Sequence, residues 1–114
     1  MESENDLARQ YFQEALPLYE KIGALLGKAN CLSSLGDLAF RESENEKGNE
    51  LIQNAILLYQ KLNDYYSVGR AYYLWSLRVS DKKKEYQCMA KKVLLAAKQD
   101  VWIGNWGLTD LECE

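Results

Sequence analysis

The sequence predicts an all-α chain built of antiparallel helix pairs, and three observations carry that expectation. Ala, Glu, Lys, Leu and Arg fill 53 of the 114 positions, against four Val, four Ile and one Thr, a balance that favours helix over strand. Apolar residues recur at spacings of three and four, as in Leu7, Ala8, Tyr11, Phe12, Ala15, Leu18, Tyr19 and Ile22, and no stretch alternates with period two for long enough to make a strand. The third observation is an internal repeat: a shift of 40 places Gln13, Ala15, Leu18, Tyr19 and Lys21 on Gln53, Ala55, Leu58, Tyr59 and Lys61, five identities in nine positions. Leu16 and Ile22 fall on Ile56 and Leu62 in the same register.

Each element follows from local pattern. The first helix is expected over residues 5–23, with Pro17 inside it, where the missing N–H should kink it; Leu57 holds that place in the second copy. Gly23 falls on Asn63, and these two residue types best tolerate the left-handed conformation that stops a helix. Asp64, next in the second copy, suits the cap of a following helix. The second helix is expected over 26–42 and contains Gly36. A mid-helix glycine costs about 1 kcal/mol against Ala, so close contact with a neighbouring helix is its best explanation. After the turn Ser43-Glu44-Asn45-Glu46 come a third helix over 46–63 and a fourth over 65–80. Past the lysine turn Asp81 to Lys84, a fifth helix over 83–100 holds a degenerate third copy, in which Gly48, Ile52 and Ala55 fall on Ala90, Leu94 and Ala97 at a shift of 42. A last short helix over 101–112 contains Trp102-Ile103-Gly104-Asn105-Trp106-Gly107-Leu108, which fits no repeat and reads either as a cap on the last groove or as an exposed interaction patch. Short connections make consecutive helices antiparallel.

Composition excludes several classes of chemistry. The chain has no histidine, which removes Ser-His-Asp and Cys-His catalysis, Cys2His2 zinc and haem-His ligation. Neither GxxxxGK[ST] nor GxGxxG is present, so no phosphate loop is available. Glu42, Glu44 and Glu46 stand in a polar turn, where carboxylates stay solvated and ionised, and Cys31 has no base beside it. The chain is therefore expected not to be an enzyme and to need no cofactor or metal. Cys31, Cys88 and Cys113 are odd in number and widely spaced, which suggests no disulfide framework but two buried residues and one tail thiol. Free thiols fit a reducing compartment, so a cytoplasmic location is expected. No run approaches 18 apolar residues, and the acidic, polar start Met1-Glu2-Ser3-Glu4-Asn5-Asp6 does not read as a signal peptide, so no membrane partner is expected.

Charge is divided along the chain. Residues 1–64 carry 6 basic and 11 acidic side chains, net −5; residues 65–100 carry 8 and 3, net +5; the last fourteen carry net −3. Lys82-Lys83-Lys84 and Lys91-Lys92 read as a solvated turn and helix face rather than a nucleic-acid surface, since Arg is sparse and the pI is near 5.1.

The small and large residues narrow the helical families. Leu32, Leu35, Gly36 and Ala39, followed by Gly48, Ile52 and Ala55, resemble the tetratricopeptide repeat: large, large and small on its first helix, then small, large and Ala on its second. Ala8, Phe12 and Ala15 match the second helix of an earlier repeat; Tyr72, Trp75, Ser76 and Val79 with Ala90, Leu94 and Ala97 match a later one. Residues 14–19 and 27–39 resemble the longer, 40-residue variety, which occurs in arrays often found behind nucleotide-binding STAND or NB-ARC regions. The resemblance covers residues 7–98. It implies a right-handed α-solenoid, a tetratricopeptide-like superhelix, in one domain over 1–114: 5–23 as the second helix of a partial repeat, 26–63 and 65–100 as repeats, and 101–114 as capping helix and tail. It further implies a non-enzymatic interaction or scaffold module, a piece of a longer array, that binds a peptide or partner helix in its concave groove.

The first helix of each repeat would face that groove. Its exposed stripes are expected to be Asn30, Ser33, Asp37, Phe40 and Arg41, and Arg70, Tyr73, Leu74, Leu77 and Asp81. The binding candidates are Asn30, Ser33, Asp37, Arg41, Arg70, Tyr73, Leu74 and Leu77, with Asn30 and Arg70 for a backbone or carboxylate and Tyr73 as an apolar anchor. Tetratricopeptides that clamp chaperone carboxylates carry Lys and Asn where this chain has Ser33 and Asp37, so that subfunction is not expected. The alternative is structural self-assembly, as a homodimer or by repeat stacking, that covers an apolar flank around Leu7, Tyr11 and Leu18 with help from the acidic and basic halves.

Overall fold

The computed structural model describes residues 3–113. Among them lie six α-helices, one short 3-10 turn and no strand: α1 (Glu4–Ile22), α2 (Leu25–Arg41), α3 (Asn45–Lys61), α4 (Tyr65–Ser76), the 3-10 turn Ser80–Lys82, α5 (Lys83–Ala96) and α6 (Val101–Asn105). The chain divides into two compact units, one through Leu62 and one from Asn63 onward.

In the first unit, α1 packs on α2 and α2 packs on α3. Ser3 starts α1: its hydroxyl accepts from the Asp6 N–H at 3.1 Å, and the Asp6 carboxylate accepts from the Ser3 N–H at 3.3 Å. The Ser3 hydroxyl bond, then the Arg9 guanidinium, hold the Asp6 carboxyl below its ordinary pKa. The helix continues through Pro17, which is exposed. Gly36 is buried, and a Cβ built on it would stand 2.8 Å from Ile52 Cγ1 and 3.3 Å from the Gly48 carbonyl oxygen. The close approach expected from the sequence is therefore present, with Ile52 filling the space over the missing side chain. Gly48 does the same for Phe40, whose ring lies 2.8 Å from where a Cβ would be.

The turns share one device. Gly23 and Asn63, the pair matched by the repeat, both adopt left-handed backbone, at φ 72° and 56°. Ser43 and Lys98 do so as well, at φ 63° and 59°. After Gly23, Ser43 and Lys98 the next residue donates its N–H to the carbonyl five positions back: Ala24 to Tyr19, Glu44 to Ala39 and Gln99 to Leu94, at 2.8–2.9 Å. A side chain in this conformation is strained, whereas glycine is not. Ser43→Gly and Lys98→Gly are each expected to stabilise the fold by about 0.5–1 kcal/mol, read as a higher urea midpoint with an unchanged slope; a lower midpoint would show that no strain is held there.

In the second unit, Asp64 caps α4 as expected, accepting from the Ser67 N–H at 3.2 Å and the Ser67 hydroxyl at 2.6 Å. Three helices end before their sequence-expected limits. α4 stops at Ser76 rather than residue 80; the buried Ser76 hydroxyl turns back to the Tyr73 carbonyl, and the chain leaves through the 3-10 turn. α5 stops at Ala96 because Lys98 takes the left-handed cap, which leaves Ala97 outside the helix and half-buried. α6 is five residues long, closed by Gly107 at φ 70° and a bond from the Leu108 N–H to the Ile103 carbonyl. The other two residues of the third copy, Ala90 and Leu94, are fully buried and form the core of this unit with Ile103 and Leu108. Gly69 admits Leu94, whose Cγ lies 2.9 Å from where a Cβ would stand.

The cysteines depart from expectation. Cys88 and Cys113 form a disulfide, and only Cys31 is free and buried. The tail reaches α5 because Leu108 enters the core and the Lys91 ammonium donates to the Thr109 and Leu111 carbonyls at 3.0 and 2.7 Å, so the two thiols meet. A reducing compartment thus loses the support that three free thiols gave it. No helix among the described residues is long and apolar enough to cross a membrane.

Candidate interaction surface

The candidate residues of α2 lie on one side of the helix but are largely engaged within the first unit. Asn30 is exposed, and its side-chain oxygen accepts from the Tyr59 hydroxyl of α3. Asp37 and Arg41, one turn apart, form an ion pair at 3.1 Å. Ser33 is half-buried. Phe40, expected on the exposed stripe, is buried instead, because Gly48 opens space for its ring on the facing helix. On α4, Arg70 is exposed and Leu74 half-buried, while Tyr73 stacks on Trp106 at 5.0 Å and 9° between ring planes. Leu77 is exposed but caps the helix, and Asp81 lies beyond it on the 3-10 turn. Trp102 rests on Tyr66 at 5.0 Å, so both tryptophans of the last segment lie on α4, as a cap would.

The larger uncovered surface is on α1. None of its residues is buried, although it is amphipathic along its whole length. Leu7, Tyr11, Leu18 and Ile22 are 53%, 63%, 64% and 73% exposed. At about 100° per residue they fall within an arc of about 60°. Beside them run Ala8, Phe12, Leu16 and Tyr19, all half-buried. A helix that packs on one neighbour needs an apolar stripe of about 100°; α1 carries nearly twice that, and the helix it packs on is α2. The exposed part forms a shallow groove lined by Tyr11, Glu14, Ala15, Leu18, Tyr19 and Ile22, all from α1 itself. Sequence reasoning named Leu7, Tyr11 and Leu18 but not Ile22, which the same helical spacing identifies.

Burial pushes the Cys31 thiol above its ordinary pKa, which lowers its thiolate fraction near neutral pH. Burial also raises the Tyr72 and Tyr86 hydroxyls, and for Tyr86 the nearby Glu85 and Asp81 charges add to it. Tyr86 is stacked on Trp75 at 4.1 Å. Among the described residues, no group of three or more His, Cys, Asp or Glu side chains is placed to hold a metal ion. Compared with known proteins, the chain matches no family model, no curated protein and no solved structure.

Proposed function

We propose that the chain is a non-enzymatic protein-interaction module, made of helix pairs of the tetratricopeptide kind, that receives a peptide or partner helix. The observation that carries this reading is the uncovered apolar stripe Leu7–Tyr11–Leu18–Ile22 on α1. Surfaces of this kind, continuous and ordered on one helix, mark sites of association. The reading is supported by the Gly36 contact with Ile52 and Gly48, at the places where such repeats are small, and by the equivalent helix stops at Gly23 and Asn63. On this reading the pairs stack as a right-handed α-solenoid, and the exposed members of the α2 and α4 stripes, Asn30, Arg41, Arg70 and Leu77, offer contacts to an extended peptide.

A second reading, assembly with copies of itself, is favoured by the net −5 of residues 1–64 against the net +5 of residues 65–100. One double variant tests both. Tyr11→Lys with Leu18→Glu changes only exposed positions, so its circular dichroism should match that of the parent. Quantitative capture from a cell extract is expected to lose its partners in the variant while light scattering shows the parent as a monomer. Partners retained by the variant would remove α1 from the reading. A parent dimer that dissociates in the variant would favour self-assembly.

A further inference from the structure

We propose that Cys88 and Cys113 form a reversible redox clasp, opened by a small dithiol that attacks the Cys113 sulfur and expels the Cys88 sulfur as a thiolate. The bond joins α5 to the segment that follows α6, 25 residues away in sequence. It lies outside the core of the second unit: Ala90, Leu94, Ile103 and Leu108 are buried, whereas both cysteines are only half-buried. Disulfides that solvent reaches are the labile ones.

The two sulfurs differ in their surroundings. Cys88 is in mid-helix, and Lys84, Lys91 and Lys92 stand one turn before or after it on α5. The carboxylate at that distance is Glu85, which Lys82 pairs at 3.7 Å. Ammonium groups so placed favour a thiolate on Cys88. Cys113 instead follows Glu112 in a segment that also holds Asp110, both exposed. Lys91 also serves that segment, donating to the Thr109 and Leu111 carbonyls at 3.0 and 2.7 Å, so the exposed Lys84 and Lys92 make the difference. In thiol–disulfide exchange the sulfur that holds negative charge better is the one that leaves, and attack falls on the other.

The steps balance. A thiolate of the dithiol bonds to Cys113 Sγ, the bond to Cys88 breaks, and its electron pair stays on Cys88. The second thiol of the reductant, deprotonated, then displaces Cys113 and closes the reductant's own disulfide. The protein gains two electrons and two protons as two thiols. Opening stops at Leu108. That side chain is 1% exposed and Ile103 5%, so the core keeps α6 in place and residues 109–113 are what the clasp releases. Cys113 stands five positions past this anchor, close enough for the reverse steps to restore the bond when a disulfide oxidant returns.

The test treats the oxidised full chain with dithiothreitol, quenches with iodoacetamide and reads the masses. Reduction is expected without denaturant, with Cys88 and Cys113 alkylated and the buried Cys31 untouched. With β-mercaptoethanol, a neutral monothiol, the first adduct is expected on Cys113, with Cys88 alkylated. The chain with Lys84→Glu and Lys92→Glu should keep its melting midpoint and be reduced more slowly by about threefold or more, a difference that high salt removes. On reduction, hydrogen exchange should rise in residues 109–113 and stay unchanged in α6, and oxidised glutathione should restore the bond. A bond that yields only in denaturant, an adduct on Cys88, an equal rate in the variant or a failure to reclose would each overturn the clasp. So would exchange spreading through α6, which would make the bond a staple of the fold.

Discussion

Replacing Gly36 with Leu is expected to abolish cooperative unfolding of the first unit, or to lower its stability by about 3 kcal/mol, near the upper end for overpacking. The reason is what surrounds the missing side chain. One of the nearest atoms is a side-chain carbon, Ile52 Cγ1 at 2.8 Å, and the next two are backbone, the Gly48 oxygen and the Ile52 nitrogen, each at 3.3 Å. A side chain can rotate away, but two helix backbones cannot yield without parting. Parting them also uncovers Ile52, which is 2% exposed, and removes the seat of Phe40 beside Gly48. At about 4–8 °C per kcal/mol for a small domain, the loss would appear as a melting midpoint lower by roughly 12–24 °C. Gly36→Ala should fall between the two, since it adds the Cβ alone. A Gly36→Leu chain that melts with the parent would show that α2 and α3 are not held by this contact.

Leu94→Ala is expected to cost about 2–5 kcal/mol, the range for deleting a fully buried leucine. Leu94 is 0% exposed and lies among Ala90, Ile103 and Leu108, with Tyr72, Tyr73, Trp102, Trp106 and Leu111 packed around them. Its removal leaves a cavity where α5, α6 and the tail converge, beside Gly69, which has no side chain to fill it. The neighbouring Leu95 is 53% exposed, and Leu95→Ala should cost far less. Urea unfolding followed by tryptophan fluorescence reads both, because Trp102 and Trp106 belong to the cluster. Equal midpoints for the two variants would mean that the second unit does not depend on this core.

What the sequence made legible was what the 40-residue register constrains. Gly23 and Asn63 could be read as helix stops because left-handed backbone limits the residue type, and Gly36 as a contact because propensity alone disfavours it. The ends of the later helices were not legible. Past Ser76 the apolar spacing continues through Leu77 and Val79, and nothing local tells that the Ser76 hydroxyl turns inward to the Tyr73 carbonyl. Of the candidate surface, the α1 flank was visible because, in the repeat that the sequence resembles, a neighbouring helix would cover Leu7, Tyr11 and Leu18. Phe40 and Tyr73 were placed on exposed stripes because their helical angle allows it. Their fates depend on distant residues instead, Gly48 opening space for the one and Trp106 returning to cover the other. The bond between Cys88 and Cys113 was hidden for the same reason, since an odd cysteine count cannot say which thiols the tail brings together.

That bond makes residues 88–113 a closed covalent ring. Lys91, Lys92 and Lys98 lie inside it, and each is a point at which trypsin could cut. A chain nicked at any one of them remains a single molecule, with the severed end still carrying Ile103 and Leu108 and still tethered to α5. Cleavage here would leave no mark on a gel until a reductant is added.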